Sequence, residues 1–176
     1  MAKAYFVAGL AGSGKSFYSR KFAKELDLKI IDFDDNFNEF IAAHKDEYEV
    51  LGSEKFLANY ASTRYADLIN RAVTQLQQDV SVVIAAPFSK QMQDQILWDE
   101  LISPIKKFDS KPTLYWVVIS DELRKKRLVT RGEKRDAEKI KKIDEYISVS
   151  PAKKPVVEHI LIQGDKGYEG QFKGNV

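Results

Sequence analysis

The sequence predicts an α/β fold: a parallel sheet with helices on both faces, and an anion-binding turn between its first strand and first helix. Three observations carry this. The runs Ala4–Ala8, Val80–Ala86 and Thr113–Ser120 are almost continuously apolar, the pattern of strands buried on both faces. Helix-spaced segments separate them, and strands alternating with helices give a three-layer α/β/α arrangement. Finally, Gly9-Leu10-Ala11-Gly12-Ser13-Gly14-Lys15-Ser16 fits G-x-x-x-x-G-K-[ST] without a mismatch. An apolar run precedes it and a helix-spaced segment follows, the context this motif requires.

The residue types in that stretch follow from what a phosphate demands. Gly9, Gly12 and Gly14 permit backbone angles that a Cβ forbids and let the main chain approach an anion closely. The N–H groups of the loop, Ser13 included, then point at phosphate oxygens, and the following helix adds its positive end. Lys15 is expected to reach the β- and γ-phosphates of a bound nucleotide. The Ser16 hydroxyl is expected to ligate Mg²⁺.

The elements follow in order. Phe17–Leu26 reads as a helix, with Tyr18, Phe22 and Leu26 four apart. Leu28–Phe33 reads as the second strand. Asn36 to His44 places Phe37, Phe40, Ile41 and His44 on one helical face, where His44 reads as a packed residue. Gly52-Ser53 breaks the pattern, and Ser53 caps a long helix over 54–78. Its apolar stripe is Leu57, Ala61, Tyr65, Leu68, Ile69, Ala72 and Leu76. Val80–Ala86 is the third strand, followed by a helix that Ser89 caps and that runs to Leu101. Thr113–Ser120 is the fourth strand, and a basic helix opens at Ser120-Asp121. Gly132 interrupts it. A further helix carries Ile140, Ile143 and Ile147 at core spacing, and His159–Gln163 is the last strand. Residues 1–163 thus form one domain, with a lid over about 121–136. The glycine-rich tail 164–176 is expected to pack loosely.

Composition narrows the class. The chain has 176 residues, enough for one domain with a full core, and no cysteine, which excludes disulfides and thiolate metal sites. No apolar run is long enough to span a bilayer, and no signal pattern precedes the first strand, so a cytoplasmic location is expected by default. The 28 basic and 26 acidic residues nearly balance, which weighs against non-specific nucleic-acid binding.

In an open α/β sheet, ligands bind beyond the carboxyl ends of the strands. Three groups of residues fall there beside the glycine loop. Asp32-x-Asp34-Asp35 follows the second strand: Asp34 is the choice for a base that accepts a hydroxyl proton, and Asp32 and Asp35 are candidates for positioning groups or metal ligands. For Asp35, capping of the next helix is an equally good reading. Phe88, after the third strand, reads either as the wall of an acceptor pocket or as core. No aspartate ends that strand, so Asp32, Asp34, or Ser16 with water must hold the metal shell. Arg127, Arg131 and Arg135, four apart, read as a lid that closes over a transferring phosphoryl group. Arg64 and Arg71 lie on the long helix and either could reach a substrate, with Arg64 the candidate acceptor-binding residue, although solvated or paired arginines are the commoner case.

With these residues in view, the chain resembles the small P-loop kinases related to the kinase part of polynucleotide kinase, the zeta toxins and the gluconate and shikimate kinases. The resemblance rests on Gly9-x-x-Gly12-x-Gly14-Lys15-Ser16, Asp32-x-Asp34, Ala86-Pro87-Phe88 and Arg127-x-x-x-Arg131-Gly132-x-x-Arg135-Asp136. Lys142–Tyr146 is also similar to the segment after the lid in bacterial members of that group. The resemblance implies a five-stranded parallel sheet in the order 2-3-1-4-5 and transfer of the ATP γ-phosphoryl group to a hydroxyl. It implies Asp34 as base, Arg127 and Arg131 as lid residues, and Arg135 as a further nucleotide contact.

Three functions are compatible with this reading. One is an ATP- and Mg²⁺-dependent kinase of a small hydroxyl-bearing acceptor: a sugar, sugar acid, nucleoside or nucleotide sugar. Another is a kinase of a nucleic-acid hydroxyl, with Trp98 or Trp116 as contacts; the charge balance weighs against it. The third is a non-catalytic ATP-binding switch. The oligomeric state stays open.

Overall fold

The computed structural model of the chain describes residues 1–132 and 136–172. Five strands form one sheet: β1 (Ala4–Ala8), β2 (Lys29–Asp32), β3 (Val82–Ala86), β4 (Thr113–Val118) and β5 (Ile160–Gln163). All four pairings are parallel, and the order is β2-β3-β1-β4-β5. Ala8 lies beside Ala86 and Trp116, and Asp32 beside Ala85. The carboxyl ends of β1, β2 and β3 therefore stand in a row, and the loops that leave them share one rim.

Alternation along β1 builds two cores. Phe6 faces one layer, with Ile84, Leu68, Ala72, Phe88 and Trp98. Tyr5 and Val7 face the other, with Tyr18, Phe22, Tyr115 and Ile162. The first layer is covered by α3 (Lys45–Leu76) and α4 (Gln95–Ile102), the second by α1 (Lys15–Glu25). α2 (Phe37–Ala43) lies against α3. After β4 come α5 (Asp121–Arg131), α6 (Ala137–Lys141) and α7 (Ile143–Val149).

Several boundaries differ from the sequence expectation, each for a local reason. α3 starts at Lys45, well before Glu54, and Gly52 kinks it with φ 74° and ψ 160°. That left-handed φ suits glycine, so one residue both breaks and joins two helical segments. Ser89 is not the cap of α4. Residues Gln91–Gln93 form a 3₁₀ turn, and Asp94 caps α4 by accepting from the N–H groups of Ile96 at 2.8 Å and Leu97 at 3.2 Å. The expected helix around Ile140–Ile147 is two short ones, and none of its three isoleucines is fully buried. α7 packs against α5 rather than the sheet, so that helical spacing marks only a half-covered face. Trp98 and Trp116 are buried in the core, which removes them as nucleic-acid contacts.

The tail also departs from expectation over residues 164–172. Tyr168 and Phe172 are buried at 6% and 4% exposure and stack against Tyr18, Phe22 and Tyr115. The Tyr168 hydroxyl hydrogen-bonds Glu25, and Lys21 pairs with Glu169. The aromatic pair closes the open side of the α1 layer, which a reading for periodicity passes over. Phe172→Ala should cost about 3–5 kcal/mol, as for other buried phenylalanines. An unfolding free energy from urea titration within about 0.5 kcal/mol of wild type, the usual effect at an exposed site, would show that the tail is not part of the core.

Candidate active site

The loop Gly9–Ser16 turns from the end of β1 into the start of α1. Gly12 and Gly14 hold φ values of 83° and 94°, and Gly14 is the residue that precedes the helix. Their missing side chains matter as much as their angles. A Cβ on Gly12 would stand 2.9 Å from Leu128 Cγ and 3.0 Å from the Arg124 carbonyl oxygen. A Cβ on Gly14 would stand 2.7 Å from Arg127 Nη1. α5 therefore lies directly on the loop. Lys15 and Ser13 are buried, and Ser13 Oγ has no hydrogen-bond partner among the described residues.

Beside the loop is a cavity of about 250 Å³. Gly12, Gly14, Lys15 and Ser16 supply one wall, Phe17 and Arg20 of α1 another, and Arg127 and Arg131 of α5 the rest. Backbone N–H groups at a helix N-terminus, one lysine and three arginines make this a polyanion site. Arg127 Nη1 donates to the Ser13 carbonyl at 3.0 Å. Arg131 pairs with Asp136, which is 1% exposed and also accepts from Lys139 at 2.9 Å. Burial alone would raise the Asp136 pKa; the hydrogen bonds from Lys139 and Arg131 outweigh it and hold the carboxyl below its usual range. Arg135 lies outside the described residues.

The carboxylates after β2 take three different positions. Asp32 is 4% exposed and its Oδ2 accepts from Ser16 Oγ at 3.3 Å. Its Oδ1 accepts from the Asp34 N–H at 3.0 Å, and its own N–H donates to Asp35 Oδ2 at 3.1 Å. Asp35 thus ties the turn together and does not cap α2, which Asn36 precedes without a side-chain capping bond. Asp34 is 28% exposed, with Oδ1 3.9 Å from Arg64 Nη2. Two arginines of α3 grip the turn from below: Arg64 donates to the Phe33 carbonyl at 2.9 Å and Arg71 to the Asp32 carbonyl at 3.2 Å. Arg64 is 9% exposed, and its guanidinium stands 3.9 Å from the centre of the Phe33 ring. Close by, Phe40, His44, Phe56 and Tyr60 form an aromatic cluster between α2 and α3.

Phe88 is wholly buried and cannot wall a pocket. It packs on Phe6, Tyr65 and Trp98 with φ 50°, and its N–H donates to the Tyr65 hydroxyl at 3.0 Å. Burial pushes the Tyr65 hydroxyl up to about 12, so it stays protonated and serves as a fixed acceptor.

Arg124 is the residue that sequence reasoning missed. It is 2% exposed, and its guanidinium donates to the Ala11 carbonyl at 3.1 Å, the Ser150 carbonyl at 2.7 Å and Ser150 Oγ at 2.6 Å. It braces the glycine loop to the end of α7. Its spacing of three and seven from Arg127 and Arg131 was the available signal, since all three fall on one helical face.

Comparison with known proteins follows this geometry. A family model described as an AAA domain, AAA_33, matches residues 5–148. The chain belongs to this family. No curated protein sequence matches significantly. Among solved structures, a candidate kinase from Chloroflexus aurantiacus is 18% identical with a TM-score of 0.61, covering 92% of this chain and 84% of its own. A sugar kinase from Janibacter is 14% identical with a TM-score of 0.58, covering 93% and 86%. A gluconokinase from Sinorhizobium meliloti is 12% identical with a TM-score of 0.53, covering 92% and 82%. The AAA_33 chain has the fold of small P-loop kinases. No helix among the described residues is long and apolar enough to cross a membrane.

Two predictions follow from the braces. Arg124→Met leaves the Ala11 and Ser150 acceptors without their buried donor and should lower stability by about 3 kcal/mol in urea unfolding; Arg124→Lys should recover only part of it. The Asp136 link behaves as a lowered carboxyl must. Its stabilisation is complete above the unfolded pKa, near 3.8, and is lost as pH falls through the lower folded value. The Tm gap between wild type and Asp136→Asn should therefore be widest near neutral pH and close toward about pH 2. A gap that does not change with pH would rule the charged link out.

Proposed function

We propose that this chain is an ATP-dependent kinase that transfers the γ-phosphoryl group to a hydroxyl of a small molecule. The observation that carries the reading is the shared rim: the Ser16 hydroxyl of the phosphate loop touches Asp32, and Asp34 follows on the same turn. A phosphate cradle and a carboxylate able to receive a proton thus stand on one rim of the sheet, at the ends of two strands with β3 between them. Two solved proteins of similar fold are a sugar kinase and a gluconokinase, which supports a sugar or sugar acid as acceptor. A nucleoside or nucleotide sugar presents the same chemistry.

In this reading Lys15 binds the β- and γ-phosphates, and Arg127 and Arg131 balance the charge that spreads over the transferring group. Arg135 would add a contact from the lid. Asp34 takes the acceptor proton as the new P–O bond forms and the bond between the γ-phosphorus and the bridging oxygen breaks, releasing ADP. Arg64 holds Asp34 in place and forms part of the acceptor side. Catalysis is then positioning and electrostatics, with no covalent enzyme intermediate.

The Ser16 hydroxyl and the buried Asp32 carboxylate fit a magnesium shell, because two hard oxygen donors with water completing the octahedron are what Mg²⁺ accepts. When bound, the ion would neutralise charge on the β- and γ-phosphate oxygens. Asp32 fills the part that a carboxylate at the end of β3 would otherwise play.

The decisive experiment is phosphoryl transfer from γ-labelled ATP with Mg²⁺ to a panel of sugars, sugar acids, nucleosides, nucleotide sugars and 5′-hydroxyl oligonucleotides. A labelled small-molecule product is expected. Asp34→Asn should lower kcat by about 10²–10⁴ and Lys15→Ala by about 10²–10³, with the fold intact by circular dichroism. Tight ATP binding with no stimulating acceptor, and an Asp34→Asn variant equal to wild type, would mark a nucleotide switch instead. A labelled oligonucleotide with a KM that climbs steeply with salt would move the acceptor to nucleic acid.

A further inference from the structure

α1 turns Tyr18, Ser19, Phe22 and Ala23 to the protein interior. Phe17 does the opposite. It is a large apolar ring left 58% exposed, one residue beyond Ser16. Apolar residues scattered singly over a surface are ordinary. What separates Phe17 from exposed residues such as Val50 or Ile96 is its place: it lines the same cavity as the phosphate loop.

Its surroundings are specific. The Phe17 ring meets Tyr18 edge to face, with centroids 5.4 Å apart and planes at 87°. Tyr18 is 1% exposed and hydrogen-bonded through its hydroxyl to the Gly164 carbonyl, so the contact rests on a fixed neighbour. Arg20, one helical turn on, lines the cavity with Phe17, and Arg127 and Arg131 reach it from α5. Phosphates seated on the loop use the N–H groups, the lysine and the guanidinium groups. They have no use for an exposed phenylalanine. A flat π-system does: bases stack on aromatic rings, and guanidinium groups pack well on base faces.

We propose that Phe17 is the stacking platform for the purine base of the bound nucleotide, with Arg20 and Arg127 as the cationic groups beside it. Recognition of the nucleotide then begins on α1 itself, immediately after Ser16, the residue that would hold the metal. This rests on the nucleotide reading above, and the test separates the two.

Binding of ATP and of inorganic tripolyphosphate, each with Mg²⁺, would be measured by calorimetry for wild type, Phe17→Ala and Phe17→Trp. Wild type is expected to prefer ATP. Phe17→Ala should weaken ATP about tenfold to a hundredfold and leave tripolyphosphate unchanged. Phe17→Trp should restore ATP binding, and its added fluorescence should be quenched by ATP and not by tripolyphosphate. Equal weakening of both ligands in Phe17→Ala, or no weakening of either, would overturn the assignment and leave nucleotide binding intact; the second result would turn attention to Phe17 as a contact for another molecule. Failure of wild type to bind either ligand would overturn the nucleotide reading and this proposal with it.

Discussion

The close approach of α5 to the glycine loop is the constraint on which the rest of the site depends. Gly12 and Gly14 have no Cβ, so the α5 backbone at Arg124 and the side chains of Arg127 and Leu128 come within van der Waals reach of the turn. Arg127 and Arg131 can then line the cavity that Lys15 and Ser16 line from the other side. Moving α5 outward by the width of one methyl would separate the two cationic walls. It would also leave the Ala11 and Ser13 carbonyls without their arginine donors. The glycines therefore serve two ends: they shape a concave backbone for an anion and admit the helix that supplies its counter-charge.

A second consequence is that arginine does different work at different depths. Arg124 is fully buried and spends its N–H groups on carbonyls and on Ser150. Arg64 and Arg71 hold the backbone turn that carries Asp32, Asp34 and Asp35. Arg127 bonds the loop and also faces the cavity. The planar five-donor fork suits all of these tasks, since it satisfies several buried acceptors at once, which a lysine ammonium at the same place would not. Charge that looks like a solvated basic helix in one dimension is thus largely structural framework in three.

Much of the fold was legible in the chain. Strands buried on both faces announce themselves as unbroken apolar runs, so β1, β3 and β4 could be read almost to the residue. The loop was legible because its chemistry needs a fixed spacing over eight consecutive residues. The position of Asp32, Asp34 and Asp35 at the end of the second strand was legible because the three are near neighbours in the chain. The bonds that Arg124 and Arg71 make were not, because the partners, Ser150 and the Asp32 carbonyl, lie 26 and 39 residues away. Phe88 and the two tryptophans read equally well as pocket or core, and only packing chose core. The tail's departure from expectation has the same origin: four glycines over 164–176 suggest looseness, while Tyr168 and Phe172 find an aromatic face assembled from α1 and β4.

By itself, the sequence determined the local chemistry: a glycine turn that can cradle phosphate, a lysine and a hydroxyl at its end, carboxylates after the second strand, and arginines on one helix. Each depends on residues close enough in the chain for spacing to reveal them. Tertiary structure alone decided which of these meet. The parallel order β2-β3-β1-β4-β5 sets Asp32 beside Ser16, and the packing of α5 on Gly12 and Gly14 sets arginines beside the phosphate cradle. Contacts of that kind form between residues distant along the chain, and they answer to shape and to the need to pair every buried polar group, neither of which a linear pattern records.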